Sequence, residues 1–211
     1  MSMKEKFPKI IPVFPLDGVI YFPKTNLPLN IFEERYLELI NDAYKKDKLM
    51  GMVQSKKDGN NVYQVGCLGE ISDYKKTKDG RLLINLTGLT RFEIKKEIRK
   101  TKKYREFQVE YEKFNDDLIV DKNNIVNKEN MDFLMKKSKL FFEKNGLMLN
   151  WKEFEKLDQN QKINTLSMIA PVSNEEKQKL LETIALNDKS TTLLSIIEFY
   201  LHQTNQKSTL Q

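Results

Sequence analysis

Cys67 and His202 are the only cysteine and the only histidine in this chain of 211 residues. One thiol and one imidazole cannot build an intrachain disulfide, a Cys/His zinc cluster, an HExxH site or a His-based catalytic triad. Nucleotide chemistry is equally unsupported, because no G-x-x-x-x-G-K-[ST] phosphate loop and no G-x-G-x-x-G turn occurs and the glycines stand singly. Serines and lysines are plentiful, but no local pattern singles out a Ser/Lys dyad with an oxyanion site. The sequence therefore predicts no catalytic residue, no metal and no cofactor. His202 falls on the last helical stretch and reads as a surface residue, and the acceptor triplet Asn85-Leu86-Thr87 is inert without secretion.

The remaining chemical feature is charge. The chain carries 36 basic and 30 acidic residues, a formal net charge of +6. Ile94 to Arg105 holds seven basic residues (Lys95, Lys96, Arg99, Lys100, Lys102, Lys103 and Arg105) against the single acid Glu97, which equals the whole imbalance. With Phe92, Tyr104 and Phe107 nearby, this segment is the candidate nucleic-acid contact. Its composition argues the other way: only 5 of the 36 basic residues are Arg, whereas phosphate and base sites favour the bidentate guanidinium. A hairpin kept soluble by lysines on exposed strand edges accounts for the same residues.

Elements that would position these groups follow from the apolar pattern. Apolar residues make up 39% of the chain, enough for a folded core of one large or two small domains. No run approaches the ~18 to 20 apolar residues of a membrane helix. The opening, basic and then apolar, is broken by Pro12, Pro15, Asp17 and Pro23 and reads as folded chain in the cytoplasm rather than a signal peptide. Short apolar runs punctuated by Pro, Gly and Asp/Asn predict strands through residue 115, with a turn at Lys78-Asp79-Gly80. One helix, from Glu33 to Lys45, interrupts them. Residues 116–127 form a polar junction, and from 128 to 211 the period is helical. Expected there are a stripe from Met131 to Phe142 ending at Gly146, a helix through Ile163 to Ile169, a capping box at Ser173 and Glu176, and a last helix capped by Asp188. About four helices with short connections predict a bundle.

The run IPVFPLDGVIYFPKTNLPLNIFEERY, Ile11 to Tyr36, closely resembles the opening of the N-terminal substrate-binding (LON) domain of the Lon protease family. VGCLGEI from Val65, DGRLLINLTGLTRFEI from Asp79 and NTLSMIAPVSNEEKQKLLE from Asn164 agree with it in order. The opening run departs from the family's usual pattern at Asp17, where Pro is common, and at Asn30, where His is common. The resemblance implies an α+β fold: a β-rich, PUA-like pseudo-barrel with one helix, followed by the helical bundle. With neither ATPase nor peptidase motifs present, it looks like a free-standing LON domain. It implies a non-catalytic module for unfolded or extended polypeptide, an adaptor serving a protease or chaperone; RNA binding, as in other PUA-like barrels, is the alternative. The prolines read as residues at strand edges and bends, and Phe14, Phe22 and Phe32 as core anchors. An apolar groove lined by Phe22, Met50 and Met52, with Glu33, Glu34 and Arg35 at its rim, is the candidate polypeptide-binding surface.

Overall fold

Leu82–Ile98 is a strand of 17 residues in which buried and outward residues alternate from Leu82 to Thr90, the period of a half-buried strand, and the other strands of the first unit are arranged around it. The computed structural model describes residues 7–98, 101–119 and 125–208. Two compact units emerge, Met1–Val120 and Asp121–Gln211.

The first unit contains β1 (Ile10–Leu16), β2 (Asn26–Ile31), α1 (Glu34–Lys46), β3 (Leu49–Gln54), β4 (Val65–Lys76), β5 (Leu82–Ile98) and β6 (Arg105–Glu110). Their order is β2-β5-β4-β3-β1-β6, and a further β5–β6 pairing closes five of them into a barrel. Among the described residues only β1 and β3 run parallel. β5 changes partner along its length: it pairs with β2 through Leu82 to Thr87, then with β6 through Glu93 to Ile98, while β4 runs along its other side. The core inside is apolar, including Ile11, Val13, Leu68, Phe92 and Phe107. Gly80, with φ +88°, makes the expected β4–β5 turn, and Gly18, with φ +80°, bends the chain after β1.

Between Thr87 and Glu93 one flank of β5 lacks a strand partner, so its backbone groups must be satisfied otherwise. The Gly88 N–H donates to the Thr25 carbonyl at 2.9 Å, and the Gly88 carbonyl accepts from Lys24 N–H at 2.9 Å. A methyl group on Gly88 would overlap the Phe22 carbonyl oxygen, so only glycine permits this approach. The Arg91 N–H donates to Asp117 Oδ2 at 2.9 Å, and the Arg91 side chain grips the same carboxylate through Nε (2.9 Å) and Nη2 (2.8 Å). Both partners are buried, and the guanidinium lies 4.5 Å from the Phe114 ring centroid. Thus the short 3-10 segment Glu112–Asp117 is fastened to the barrel. Asp117, which the sequence pattern places in the polar junction, belongs structurally to the first unit.

The second unit contains α2 (Lys128–Lys144), α3 (Trp151–Phe154), α4 (Gln159–Ile169), α5 (Asn174–Glu182) and α6 (Leu186–Ser208). The four expected helices are present, and α3, one turn long, adds a fifth among the described residues. Ser173 and Glu176 form the expected reciprocal capping box, and Asp158 with Gln161 forms another. Gly146 takes the expected left-handed conformation, φ +66°, after α2. The last helix begins at Leu186, so Asp188 lies in its first turn rather than capping it. Leu134, Phe141, Phe154, Ile163, Leu166, Leu180, Leu193 and Ile197 are buried here.

Two further expectations fail. Phe32 is 68% exposed, because it follows the last paired residue of β2 instead of pointing into the barrel. Nor are all the prolines at sheet edges: Pro12 and Pro15 lie on β1, which has a neighbour on each side. The Lys9 carbonyl accepts from Val109 and the Leu16 carbonyl from Ser55, so odd residues of β1 address β6 and even ones β3. The missing N–H of Pro12 faces β3 before pairing begins at Val13, and that of Pro15 faces β6 after pairing has ended at Val13. Neither proline removes a ladder bond.

Replacing Asp117 with Ala leaves Arg91 buried without its carboxylate and should destabilise the first unit by about 3 to 5 kcal/mol. Urea unfolding followed by circular dichroism measures it; a loss comparable to that of a surface substitution would show that the pair does not hold the barrel.

Candidate functional site

Where β1 and β6 part company after Val13 and Arg105, their ends splay apart and leave a cleft of about 500 Å³. Its walls come from the end of β1 (Phe14 to Asp17), the start of α1 (Glu33, Arg35, Tyr36), the loop after β3 (Ser55, Gly59, Asn60) and the approach to β6 (Lys103 to Arg105). Phe14 and Tyr36 form an aromatic pair with ring centroids 4.0 Å apart. The Arg35 guanidinium covers the Tyr36 ring at 4.5 Å, and burial raises the Tyr36 hydroxyl above its ordinary pKa. That hydroxyl approaches the Pro15 carbonyl at 3.4 Å. Along this edge Pro15 can offer an acceptor but no N–H, which disfavours recognition by strand addition and leaves it to side chains.

Each cation in the cleft has its own carboxylate. Arg35 holds Glu33 through Nε at 3.0 Å and Nη2 at 2.8 Å. Arg105 grips Glu97 bidentately, both contacts at 2.8 Å, and donates through Nη1 to the Asn60 carbonyl at 3.1 Å. Lys103 binds Glu34, and its hydrogen bond keeps that carboxyl below the usual range. Next to the cleft, Lys102 binds Asp42 at 2.9 Å, and the Tyr104 hydroxyl donates to the same carboxylate at 2.8 Å. Hydrogen bonds from Lys102 and then Tyr104 hold Asp42 below its ordinary range, while burial pushes the Tyr104 hydroxyl up to about 12. The β5–β6 connection is thereby tied to α1.

The sequence-derived site is only partly assembled. Glu33 and Arg35 line the cleft, and Glu34 reaches it through Lys103. Phe22, Met50 and Met52 do not form a groove: all three are buried. Gly51 on β3 faces Ile11 and Phe92 in the barrel core, so Met50 and Met52 take the opposite face, which α1 covers. Phe22 is buried beside Gly88, where its carbonyl accepts from the Thr25 hydroxyl at 2.6 Å. Among the candidate nucleic-acid residues, Lys95 pairs with Glu93 (2.6 Å) and Glu110 (3.1 Å), and Lys102, Lys103 and Arg105 are paired as above. Lys96 is exposed, and Arg99 and Lys100 lie outside the described residues. Four of the seven basic residues are thus directed at the protein's own carboxylates, an arrangement visible only once β5, β6 and α1 are brought together. Tyr36, Asn60 and Tyr104 were missed as cleft residues, since nothing in their local pattern distinguishes them from packing.

A family model described as the ATP-dependent protease La (LON) substrate-binding domain matches residues 10–198. The chain belongs to this family. It is 24% identical over 222 residues to the Lon protease of Syntrophus aciditrophicus, covering 98% of this chain and 27% of that protein. With Lon protease 1 of Hydrogenovibrio crunogenus it shares 27% identity over 197 residues, 88% of this chain and 23% of the relative. The chain therefore spans about a quarter of the length of these curated relatives. Among solved structures, the Lon N-terminal domain protein from Xanthomonas campestris superposes with a TM-score of 0.66 at 18% identity, covering 88% of this chain and 97% of that one. The N-terminal domain of Mycobacterium avium complex Lon protease gives 0.65 at 15%, covering 90% and 98%. These likenesses establish the LON N-terminal fold, β-rich and then helical. No helix among the described residues is long and apolar enough to cross a membrane.

Because the pKa of Asp42 is depressed by its partners, the tie to α1 is at full strength above about pH 4 and weakens as pH falls through the folded pKa. The protection of the amides of residues 102–104, the exchange rate corrected for its intrinsic dependence on pH, should fall below that pH and stay constant between pH 5 and 8, above the ordinary carboxylate range. A loss of protection confined to neutral pH would contradict the assignment.

Proposed function

We propose that this chain is a non-catalytic module that binds unfolded or extended segments of other proteins at the β1–α1–β6 cleft, acting as an adaptor for a protease or chaperone. The observation that carries the reading is the match of a substrate-binding family over residues 10–198, joined to a cleft with an aromatic floor and a polar rim in the β-rich unit. Aromatic side chains supply contact area to many sequences, and the rim groups can exchange partners at small cost because exposed ion pairs contribute little. A tilted pair of rings at the floor and reversible ion pairs at the rim suit a ligand of variable sequence. No nucleophile constellation among the cleft residues supports catalysis, so the module presents polypeptide without cutting it. The compartment that fits this role is the cytoplasm.

RNA binding through the segment 94–105 is less well supported, since four of its basic groups are held by carboxylates. Salt separates the two. Binding that rests on apolar burial is barely screened, whereas each phosphate contact releases counterions and steepens the salt response.

Fluorescence anisotropy with a permanently unfolded, neutral carrier protein should show binding that changes less than about threefold between roughly 50 and 200 mM salt. Replacing Lys95 and Lys96 with Gln should leave it intact, and the carrier should not be cleaved. Failure of any unfolded protein to bind, with tight and steeply salt-dependent binding of single-stranded RNA, would reject the proposal.

A further inference from the structure

Tyr104 forms part of one wall of the cleft, and a second cavity of about 360 Å³ lies on its other side. Ile10 and Pro12 of β1, Ala43 and Lys46 of α1, and Glu106 of β6 line this cavity, with Tyr104 as the wall it shares with the cleft. The two cavities follow one line. Ile11 and Val13 belong to the barrel core, so the even residues of β1 point out of the barrel. As β1 advances from Ile10 to Asp17, the lining of α1 runs back from Lys46 to Glu33, and that of β6 and its approach from Glu106 to Lys103. Both cavities are therefore parts of one furrow along β1. Its accessible apolar residues stand at the two ends: Ile10 is 41% exposed and Pro12 half-buried in the second cavity, and Leu16 is half-buried in the cleft, while Phe14 between them is covered.

The furrow is divided by the tie at Tyr104. Lys102 Nζ lies 4.9 Å from the Tyr104 ring centroid and 2.9 Å from Asp42, whose carboxylate also accepts from the Tyr104 hydroxyl at 2.8 Å. This tie reaches from the β5–β6 connection to α1, and both partners of its ion pair are partly exposed, so parting them costs little. Pro12 and Leu16 are four positions apart, about 13 Å at the rise of a strand, and an extended segment laid along them presents its own residues i and i+4 on one side at the same spacing. We infer that the two cavities are subsites of one furrow that takes an extended polypeptide segment with apolar side chains four positions apart, and that the Lys102–Asp42–Tyr104 tie is a strap that opens to admit it. This inference rests on the polypeptide-binding reading and adds its register. An incoming segment covers again the Tyr104 ring that the open strap uncovers, and apolar contact at Ile10 and Pro12 supplies the gain.

The test uses the full chain and three labelled Gly/Ser-rich peptides of about ten residues, long enough in extended form to reach both subsites, with affinity read by anisotropy. One carries two Leu at i and i+4, one has the same composition with the pair at i and i+3, and one has a single Leu. In an extended chain i+3 points to the opposite side, whereas a helix presents i+3 and i+4 alike, so the comparison also reports the bound conformation. The i, i+4 peptide should bind roughly 5- to 10-fold more tightly than the i, i+3 peptide, which should resemble the single-Leu one. In Ile10→Asp the two paired peptides should converge. In Asp42→Ala the i, i+4 peptide should gain roughly two- to fivefold, because the strap no longer opposes it. Both variants should keep the circular dichroism spectrum of the unaltered chain. Equal affinity for the two paired peptides on the unaltered chain, or a preference that survives Ile10→Asp, overturns the two subsites while leaving polypeptide binding in place. No gain in Asp42→Ala overturns the strap. Binding of none of the three peptides overturns the polypeptide-binding reading as well.

Discussion

The barrel can close because one strand serves two edges in succession. β5 leaves β2 after Thr87 and reaches β6 at Glu93, and the interval between would strand backbone groups on one flank. Three contacts fill it: Thr25 and Lys24 on Gly88, and the Asp117 carboxylate on the Arg91 N–H. Asp117 thus stands in for a missing strand and at the same time neutralises a buried guanidinium. A buried pair of this kind adds little over a well-packed apolar substitute, but losing one partner is severe, so the two residues are bound to each other's presence. Everything downstream depends on this closure. It sets where β1 and β6 separate, and their separation makes the cleft.

The cleft itself follows from prolines as much as from charges. Pro15 turns its missing N–H toward the gap left by β6, so the splayed edge is not a template for another strand. Pro28 serves β2 in a related way. The Thr25–Gly88 contact places odd residues of that strand toward β5, so Pro28 turns its missing N–H to the open side. Both exposed edges of the first unit are thereby blunted, and recognition falls to the rings and ion pairs between them.

Local pattern made much of this legible. Helix ends were readable because their signals are self-contained: Ser173 with Glu176 and Gly146 after α2 each act within one turn. The change of period near residue 115 and the resemblance of the opening run carried the fold class. What stayed hidden depends on partners far apart in sequence. Met50 and Met52 alternate as half-buried strand residues do, yet α1 covers their outer face. Lys102 and Lys103 belong to a basic run, yet their partners Asp42 and Glu34 lie 60 and 69 residues away. Arg91 and Asp117 are individually unremarkable charges, 26 residues apart. The buried Lys189, which donates to Asn164 at 2.9 Å in the helical unit, gave no local sign either.

Mapping the bound surface tests the central claim most directly. In a titration of the isotopically labelled chain with an unfolded polypeptide, amide shift changes should concentrate at residues 14–17, 33–36, 55–60 and 103–105. They should saturate together with a single apparent affinity. Changes centred on α2 to α6, or on the exposed edge of β2 with the cleft silent, would contradict the account.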